Sequence, residues 1–179
     1  MAILLRFWAK NNGFIGCSEM SSYAFTMLII FYCQTIHPPL LPSIESLSNS
    51  QEKLLIDDWD FSFCDEIDKI EKSKNTLSID QLVRSFFGFY SYFNFTDCVI
   101  CPRTATMQLK GTFDPLIKDN KQQFVLPKFC CIQDPFELNF NLTANMRQVV
   151  FDGLINAFRR TWNCLKDDKE VIKFEVKKS

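Results

Sequence analysis

The sequence predicts a mainly α-helical chain with a small β-sheet, an α+β fold. Three observations carry that expectation. Four stretches space their apolar residues as helices do, near residues 2–12, 22–35, 79–93 and 142–164. Two short runs, Cys98-Val99-Ile100-Cys101 and Phe129 to Ile132, read as strands. Apolar residues make up 47% of the 179, and 19 residues are Phe, so the chain can bury a sizeable core of flat rings.

The first helix, Ala2 to Asn12, is expected to turn Ile3, Leu4, Phe7 and Trp8 to one side. Its apolar pattern is at full strength from residue 2 with no cap before it, which points to sequence upstream. Asn12-Gly13 and Gly16 then break the chain. The second helix, Ser22 to Thr35, is apolar nearly all round and should be buried; His37-Pro38-Pro39 ends it. Residues 40–77 read as a long irregular connection, and the acidic run from Asp57 to Glu71 reads as a solvated loop. Ser78-Ile79-Asp80-Gln81 has the form of a capping box. It opens a third helix to about Phe93, with Leu82, Val83, Phe86, Phe87 and Tyr90 inward. Residues 102–128 read as loop, and a fourth helix is expected from Leu142 to Cys164. In the charged tail, 166–179, Val171, Phe174 and Val176 either add a strand or fray.

Charge and cysteine usage narrow the function classes. Twenty Lys and Arg stand against 21 Asp and Glu, a net charge of −1, so any nucleic-acid contact must come from a local patch. The eight cysteines lie largely within apolar runs, and no secretory signal is visible, so they read as reduced thiols of an intracellular protein, nuclear or cytoplasmic. The apolar stretch Tyr23 to Cys33 is about half of the ~20 residues a bilayer span needs, so no membrane association is expected. The glycosylation sequons at Asn94 and Asn141 read as chance matches. Cys98, Cys101, Cys130 and Cys131 offer four thiolates, but neighbours in a strand point to opposite faces, and no metal site is expected. The single histidine, His37, lies beside two prolines, against Ser–His or Cys–His catalysis. No phosphate-binding P-loop and no dinucleotide fingerprint occurs.

One constellation suggests an anion site. Arg6 and Lys10, four apart, share a helix face, and their mutual repulsion would be relieved by an anion. Ser21-Ser22-Tyr23 opens the next helix, whose N-terminus offers N–H groups and hydroxyls to a phosphate. The bland reading is a solvated basic pair and an ordinary serine cap. Tyr23 offers a ring for base stacking or belongs to the core.

These residues also carry a resemblance. Leu5-Arg6-Phe7-Trp8-Ala9-Lys10, Ser21-Ser22-Tyr23-Ala24-Phe25-Thr26 and Pro38-Pro39-Leu40-Leu41-Pro42 resemble the central domain of the non-canonical poly(A) and poly(U) polymerases, a family of terminal nucleotidyltransferases. In the same order, Asp57 to Phe63 is similar to the family's "DGWD..F" element, and Leu82 to Tyr90 to its "LL..FF.YY" helix. Ile132 to Leu138 with Asn141 to Asn145 is similar to its nucleotide-recognition loop. The resemblance covers about residues 3–160.

It implies a poly(A) polymerase/oligoadenylate synthase substrate-binding-like helical domain. Residues 1–165 would form the central, PAP-associated nucleotide-binding domain, and 166–179 a charged tail. The implied function is the nucleotide- and RNA 3′-end-binding half of an enzyme that adds UMP or AMP to RNA. Its partners would be an RNA 3′ end, a nucleoside triphosphate (UTP or ATP) and a catalytic palm domain, in cis or in trans. The complete enzyme would use Mg²⁺ or Mn²⁺ on palm carboxylates. No Gly-Ser followed by Asp-x-Asp occurs in residues 1–179, so no catalytic residue and no metal ligand is assigned here. Asp58-Trp59-Asp60 has suitable spacing but matches a later loop of the family.

By the same resemblance, Arg6 and Lys10 match triphosphate contacts, Ser22 a phosphate contact, Tyr23 the base-stacking ring and Asp134 an acidic residue near the base edge. The sequence departs at Arg6, usually Lys, and at Asp58, where the family has Gly. It departs also at Phe140, where UTP-preferring members have His, which puts UTP preference in doubt; the amides of Asn139 and Asn141 are candidate substitutes. Two other readings stay open: a palm-less paralogue acting as a nucleotide-, RNA- or partner-binding module, and a generic helical interaction domain.

Overall fold

The computed structural model describes residues 1–16, 20–47, 68, 70–114, 124–127 and 129–166, with the backbone alone at 55–56 and 59–60. Among the described residues there are five α-helices: α1 (Ala2–Asn11), α2 (Ser22–Thr35), the single turn α3 (Ile44–Leu47), α4 (Ile79–Tyr92) and α5 (Gln148–Leu165). A two-stranded ribbon pairs β1 (Leu55–Ile56) with β2 (Trp59–Asp60), antiparallel. The sheet has the order β4-β3-β5, with β3 at Cys98–Cys101, β4 at Thr106–Leu109 and β5 at Cys131–Ile132. The fold is mainly helical with a small sheet, as the sequence predicts.

Helix ends follow local chemistry. Ser21 Oγ accepts from the Ala24 N–H at 2.9 Å and starts α2. Ser78 Oγ accepts from the Gln81 N–H while Gln81 Oε1 accepts from the Ser78 N–H, completing the capping box of α4. α2 is buried on nearly all sides, from Ala24 to Gln34.

An aromatic core joins α1, α2, α4 and α5. Phe158 of α5 meets Trp8 at 5.4 Å, Tyr90 at 5.5 Å, Phe86 at 5.9 Å and Phe87 at 6.2 Å between ring centroids. Each such pair contributes about 0.5–1.5 kcal/mol beyond its buried area. α4 and α5 approach closely at Gly88: a methyl added there would lie 3.1 Å from the Trp162 ring. The buried phenols are satisfied. Tyr90 donates to the Leu28 carbonyl at 2.7 Å, and Tyr32 bonds the Leu82 carbonyl and Ser85 Oγ.

The sheet explains the cysteines. β5 runs parallel to β3, with Val99 beside Cys131. Cys130 faces the aromatic core, whereas Cys131 packs with Val99 and Cys101 in a second small cluster. Adjacent thiols therefore part to opposite faces, as strand geometry requires. Among the described residues, no group of three or more His, Cys, Asp and Glu converges as a metal site would need. Burial pushes the thiol of Cys33 up to about 11 and those of Cys101 and Cys130 up to about 12. No helix among the described residues is long and apolar enough to cross a membrane.

Four expectations need correction. Ile3, Leu4 and Phe7 do not face the core: they are 85%, 54% and 64% exposed, and α1 buries Leu5 and Ala9 instead. Packing against α2 and α5 selects the stripe around Trp8, whose indole N–H donates to Thr161 Oγ1. The final helix begins at Gln148 rather than Leu142. Asn141 and Thr143 engage the backbone with their side chains, and Arg147 caps in an extended conformation, so residues 142–147 turn instead of winding. Thr106–Leu109, expected as loop, forms β4 against β3. The connection 40–77 holds α3 and the β1–β2 ribbon. Of the acidic run, Asp68 and Glu71 are exposed; Asp57, Asp58 and most of the rest lie outside the described residues, as does the tail beyond Lys166.

Candidate functional site

α1 and the start of α2 enclose an open cleft of about 430 Å³ lined by Ile3, Arg6, Phe7, Lys10, Ile15, Gly16 and Ser22. The structure thus brings Arg6, Lys10 and Ser22, distant in sequence, onto one cavity. The i, i+4 spacing sets the two cations on one side of α1, and the turn at residues 12–16 folds the chain back so that α2 begins beside them. Gly16 has φ +85° with open space around it, so backbone conformation, not room, requires glycine there. Arg6 and Lys10 are exposed, and among the described residues neither side chain makes an ion pair or hydrogen bond. Ser21 is occupied as the helix cap, which leaves Ser22 to offer its hydroxyl to the cleft. A cavity with two cations, a hydroxyl and a helix N-terminus attracts a polyanion.

Tyr23 follows at the next position. It is 40% exposed, so it is not a core residue. Its pKa is raised, first by burial, then by the negative charge of Asp134. Asp134 lies in the loop after β5 and is 9% exposed. Its Oδ1 accepts from the Phe136 N–H at 2.8 Å and the Glu137 N–H at 2.9 Å. The Asp134 N–H donates to the Phe140 carbonyl at 2.9 Å, while the Phe140 side chain is 41% exposed.

The loop is closed by Asn141, which pairs across it with Gln133. Asn141 Oδ1 accepts from the Ile132 N–H, the Thr143 N–H and the Thr143 hydroxyl at 2.9–3.1 Å, and Nδ2 donates to the Val125 carbonyl. Its amide is therefore engaged and 2% exposed, so it is neither the substitute base reader considered from sequence nor a glycosylation acceptor. The side-chain amide oxygen of Asn139, Oδ1, is buried.

Sequence reasoning missed two positioning residues, Asn141 and Lys110. The Lys110 ammonium donates to the Phe95, Pro127 and Phe129 carbonyls, tying the crossover before β5 to the sheet. A lysine in a loop-rich stretch carries no sequence signal for such a clamp. Ile3, Phe7, Ile15 and Gly16 of the cleft were also unassigned.

The profile of the family described as Cid1 family poly A polymerase matches residues 78–140, from the α4 capping box to Phe140. The chain belongs to the non-canonical poly(A)/poly(U) polymerase family. Relatives and fold agree with this membership. The chain is 32% identical over 165 residues to the speckle targeted PIP5K1A-regulated poly(A) polymerase of Danio rerio, covering 80% of this chain and 21% of that protein. It is 32% identical over 148 residues to terminal uridylyltransferase 7 of Homo sapiens, covering 78% of this chain and 9% of that one. A solved structure of an mtPAP point mutant in complex with ATPγS superposes with a TM-score of 0.79 at 25% identity, over 94% of this chain and 34% of that one. The chain thus spans about a fifth or less of these two curated relatives.

Proposed function

We propose that this chain is the nucleotide- and RNA 3′-end-binding half of a terminal RNA nucleotidyltransferase, which adds UMP or AMP to RNA when combined with a catalytic palm domain. Residues 1–165 form its central, PAP-associated domain. The observation that carries this reading is the convergence of Arg6, Lys10 and Ser22 on one cleft, with Tyr23 and Asp134 beside it. In this reading Arg6 grips phosphate oxygens with its planar fork and Lys10 adds a point charge. Ser22 donates its hydroxyl, and Tyr23 stacks on the base. Phe140 presents no hydrogen-bond donor to a base, so the loop discriminates weakly between UTP and ATP.

Two divalent metals would supply the chemistry that activates the attacking and leaving oxygens. The residues present do not fit them: the sequence has no Gly-Ser with Asp-x-Asp, and the described residues hold no carboxylate cluster. No catalytic step is assigned to this chain, and it is expected not to extend RNA alone.

The test is a titration of the purified chain with UTP and ATP, with Lys10→Ala beside it. The parent binds both, and Lys10→Ala weakens both about tenfold, the loss of one charge-assisted contact. Equal binding by parent and variant would reduce Lys10 to a solvated charge at the end of α1. Reproducible 3′ extension of RNA by the chain alone would refute the division of labour.

A further inference from the structure

We propose that Arg103, in the turn between β3 and β4, is a further positioning residue of the nucleotide site, holding the Asp134 loop through the Pro135–Phe136 peptide. The inference rests on the nucleotide-site reading above. Arg103 Nη1 donates to the Pro135 carbonyl at 3.1 Å. The N–H of the same peptide unit belongs to Phe136 and donates to Asp134 Oδ1 at 2.8 Å. One peptide is thus gripped at both ends, by a cation on its oxygen and a carboxylate on its nitrogen. Both bonds are charge-assisted, and each polarises the peptide in the sense that strengthens the other. The two opposite charges are coupled through the peptide between them.

The turn that carries Arg103 is itself fixed. Gln34 Nε2, near the end of α2, donates to the Pro102 carbonyl at 3.0 Å, and the Glu45 N–H of α3 donates to the Arg103 carbonyl at 2.8 Å. Arg103 is half-buried, and Pro135 and Asp134 are buried. The guanidinium therefore reaches from a held turn into the loop, across 32 residues of sequence. Pro135 adds a fixed φ at the point of contact. From there the hold is passed along the loop. Asp134 Oδ1 also accepts the Glu137 N–H, the Phe140 N–H donates to the Glu137 carbonyl, and the Asp134 N–H donates to the Phe140 carbonyl, each at 2.9 Å. The backbone that presents Phe140 is thereby set from Arg103. Arg103 does not line the cleft, so its effect on a nucleotide passes through the loop. A loop ordered before the ligand arrives binds it without paying for ordering at the moment of contact.

Two measurements test this. Pro135–Phe136 is the one Pro–Phe pair in the sequence, so carbonyl-¹³C proline combined with ¹⁵N phenylalanine selects a single amide in NMR of the ligand-free chain. Arg103→Met is expected to move that amide and the Pro135 carbonyl resonance. Arg103→Lys, which keeps a charged donor, should move them less. An unmoved signal in Arg103→Met overturns the inference. The second measurement titrates UTP and ATP against the parent and the variants. Arg103→Met should weaken both nucleotides alike by about fivefold, the worth of one hydrogen bond, and Arg103→Lys by less. Combined with Asp134→Asn, the loss should be smaller than the product of the two single losses, because both changes act on one peptide. Combined with Lys10→Ala, it should equal the product. A full product with Asp134→Asn, or unchanged affinity in Arg103→Met, overturns the positioning role. A parent that binds neither nucleotide, with the Phe136 amide still moved by Arg103→Met, overturns the nucleotide-site reading and the nucleotide role given to Arg103, and leaves the two-ended grip as a contact of the fold alone.

Discussion

The outer face of α1 and the loop from Gln133 to Asn141 flank the start of α2 and hold their polar groups in opposite ways. On α1, Arg6 and Lys10 project into a cleft and spend nothing on the protein's own structure. In the loop, Gln133, Asp134 and Asn141 are each committed to internal hydrogen bonds at 2.8–3.1 Å. A side chain left free can be given to a ligand, while one bonded on several sides can only shape the surface around it. In the proposed reading the α1 face is a source of binding energy and the loop a source of geometry. Mutations should separate the two: changes on the face cost affinity and not stability, and changes in the loop cost both.

The largest effect is expected beneath both regions. Phe158→Ala removes a fully buried ring that meets four others, and should cost about 3–5 kcal/mol in urea unfolding. A cost below about 1 kcal/mol would mean that the cluster is loosely packed. Asn141→Ala comes next. It strands the buried Ile132 and Thr143 amides and should cost about 2–3 kcal/mol, with nucleotide affinity falling as the loop loosens. Unchanged stability there would remove the basis for calling the loop rigid.

The core should also respond to alkali. Burial raises the thiols of Cys33, Cys101 and Cys130 to between about 11 and 12, from an ordinary 9.0. It raises the phenols of Tyr32 and Tyr90 as well. The folded state holds these protons more tightly than the unfolded chain. Their contribution to stability is therefore complete below pH 9 and lost as the pH rises through 11–12. Urea midpoints measured at pH 8, 9, 10 and 11 should fall steadily above about pH 9. A flat profile would show that these groups titrate at ordinary values. The smallest stability effect belongs to Lys10→Ala, within about 0.5 kcal/mol of the parent despite its loss of nucleotide affinity. A larger destabilisation would make Lys10 a structural residue and erase the contrast between face and loop.

Much of this was legible in the residues themselves. Ser78 and Gln81 specify the start of α4 because the capping box is a local exchange of hydrogen bonds. The apolar surround of α2 announced its burial, and the spacing of Arg6 and Lys10 placed both cations on one side of α1. Adjacent Cys130 and Cys131 had to part to opposite faces of the sheet, whatever the fold around them. Order of motifs alone carried the family resemblance, and the profile match and relatives bear it out.

Tertiary structure decided the rest, because each remaining choice depended on partners distant in the chain. Periodicity put Ile3, Leu4, Phe7 and Trp8 on one side of α1, but packing against α2 and α5 buried Leu5 and Ala9 and left Ile3 and Phe7 at the cleft. Local propensity favoured winding from Leu142, but the Ile132 N–H and the Cys130 carbonyl, about ten residues back, claimed the side chains of Asn141 and Thr143, so α5 starts at Gln148. Lys110 became a clamp because three carbonyls from two chain segments meet at its ammonium. The charge of Asp134 bears on the Tyr23 phenol from 111 residues away in sequence, in the loop that follows β5, which itself lies parallel beside β3. Sequence determines which groups are available and their local phase; long-range packing and hydrogen bonding determine which of them are spent on the fold and which remain for a ligand.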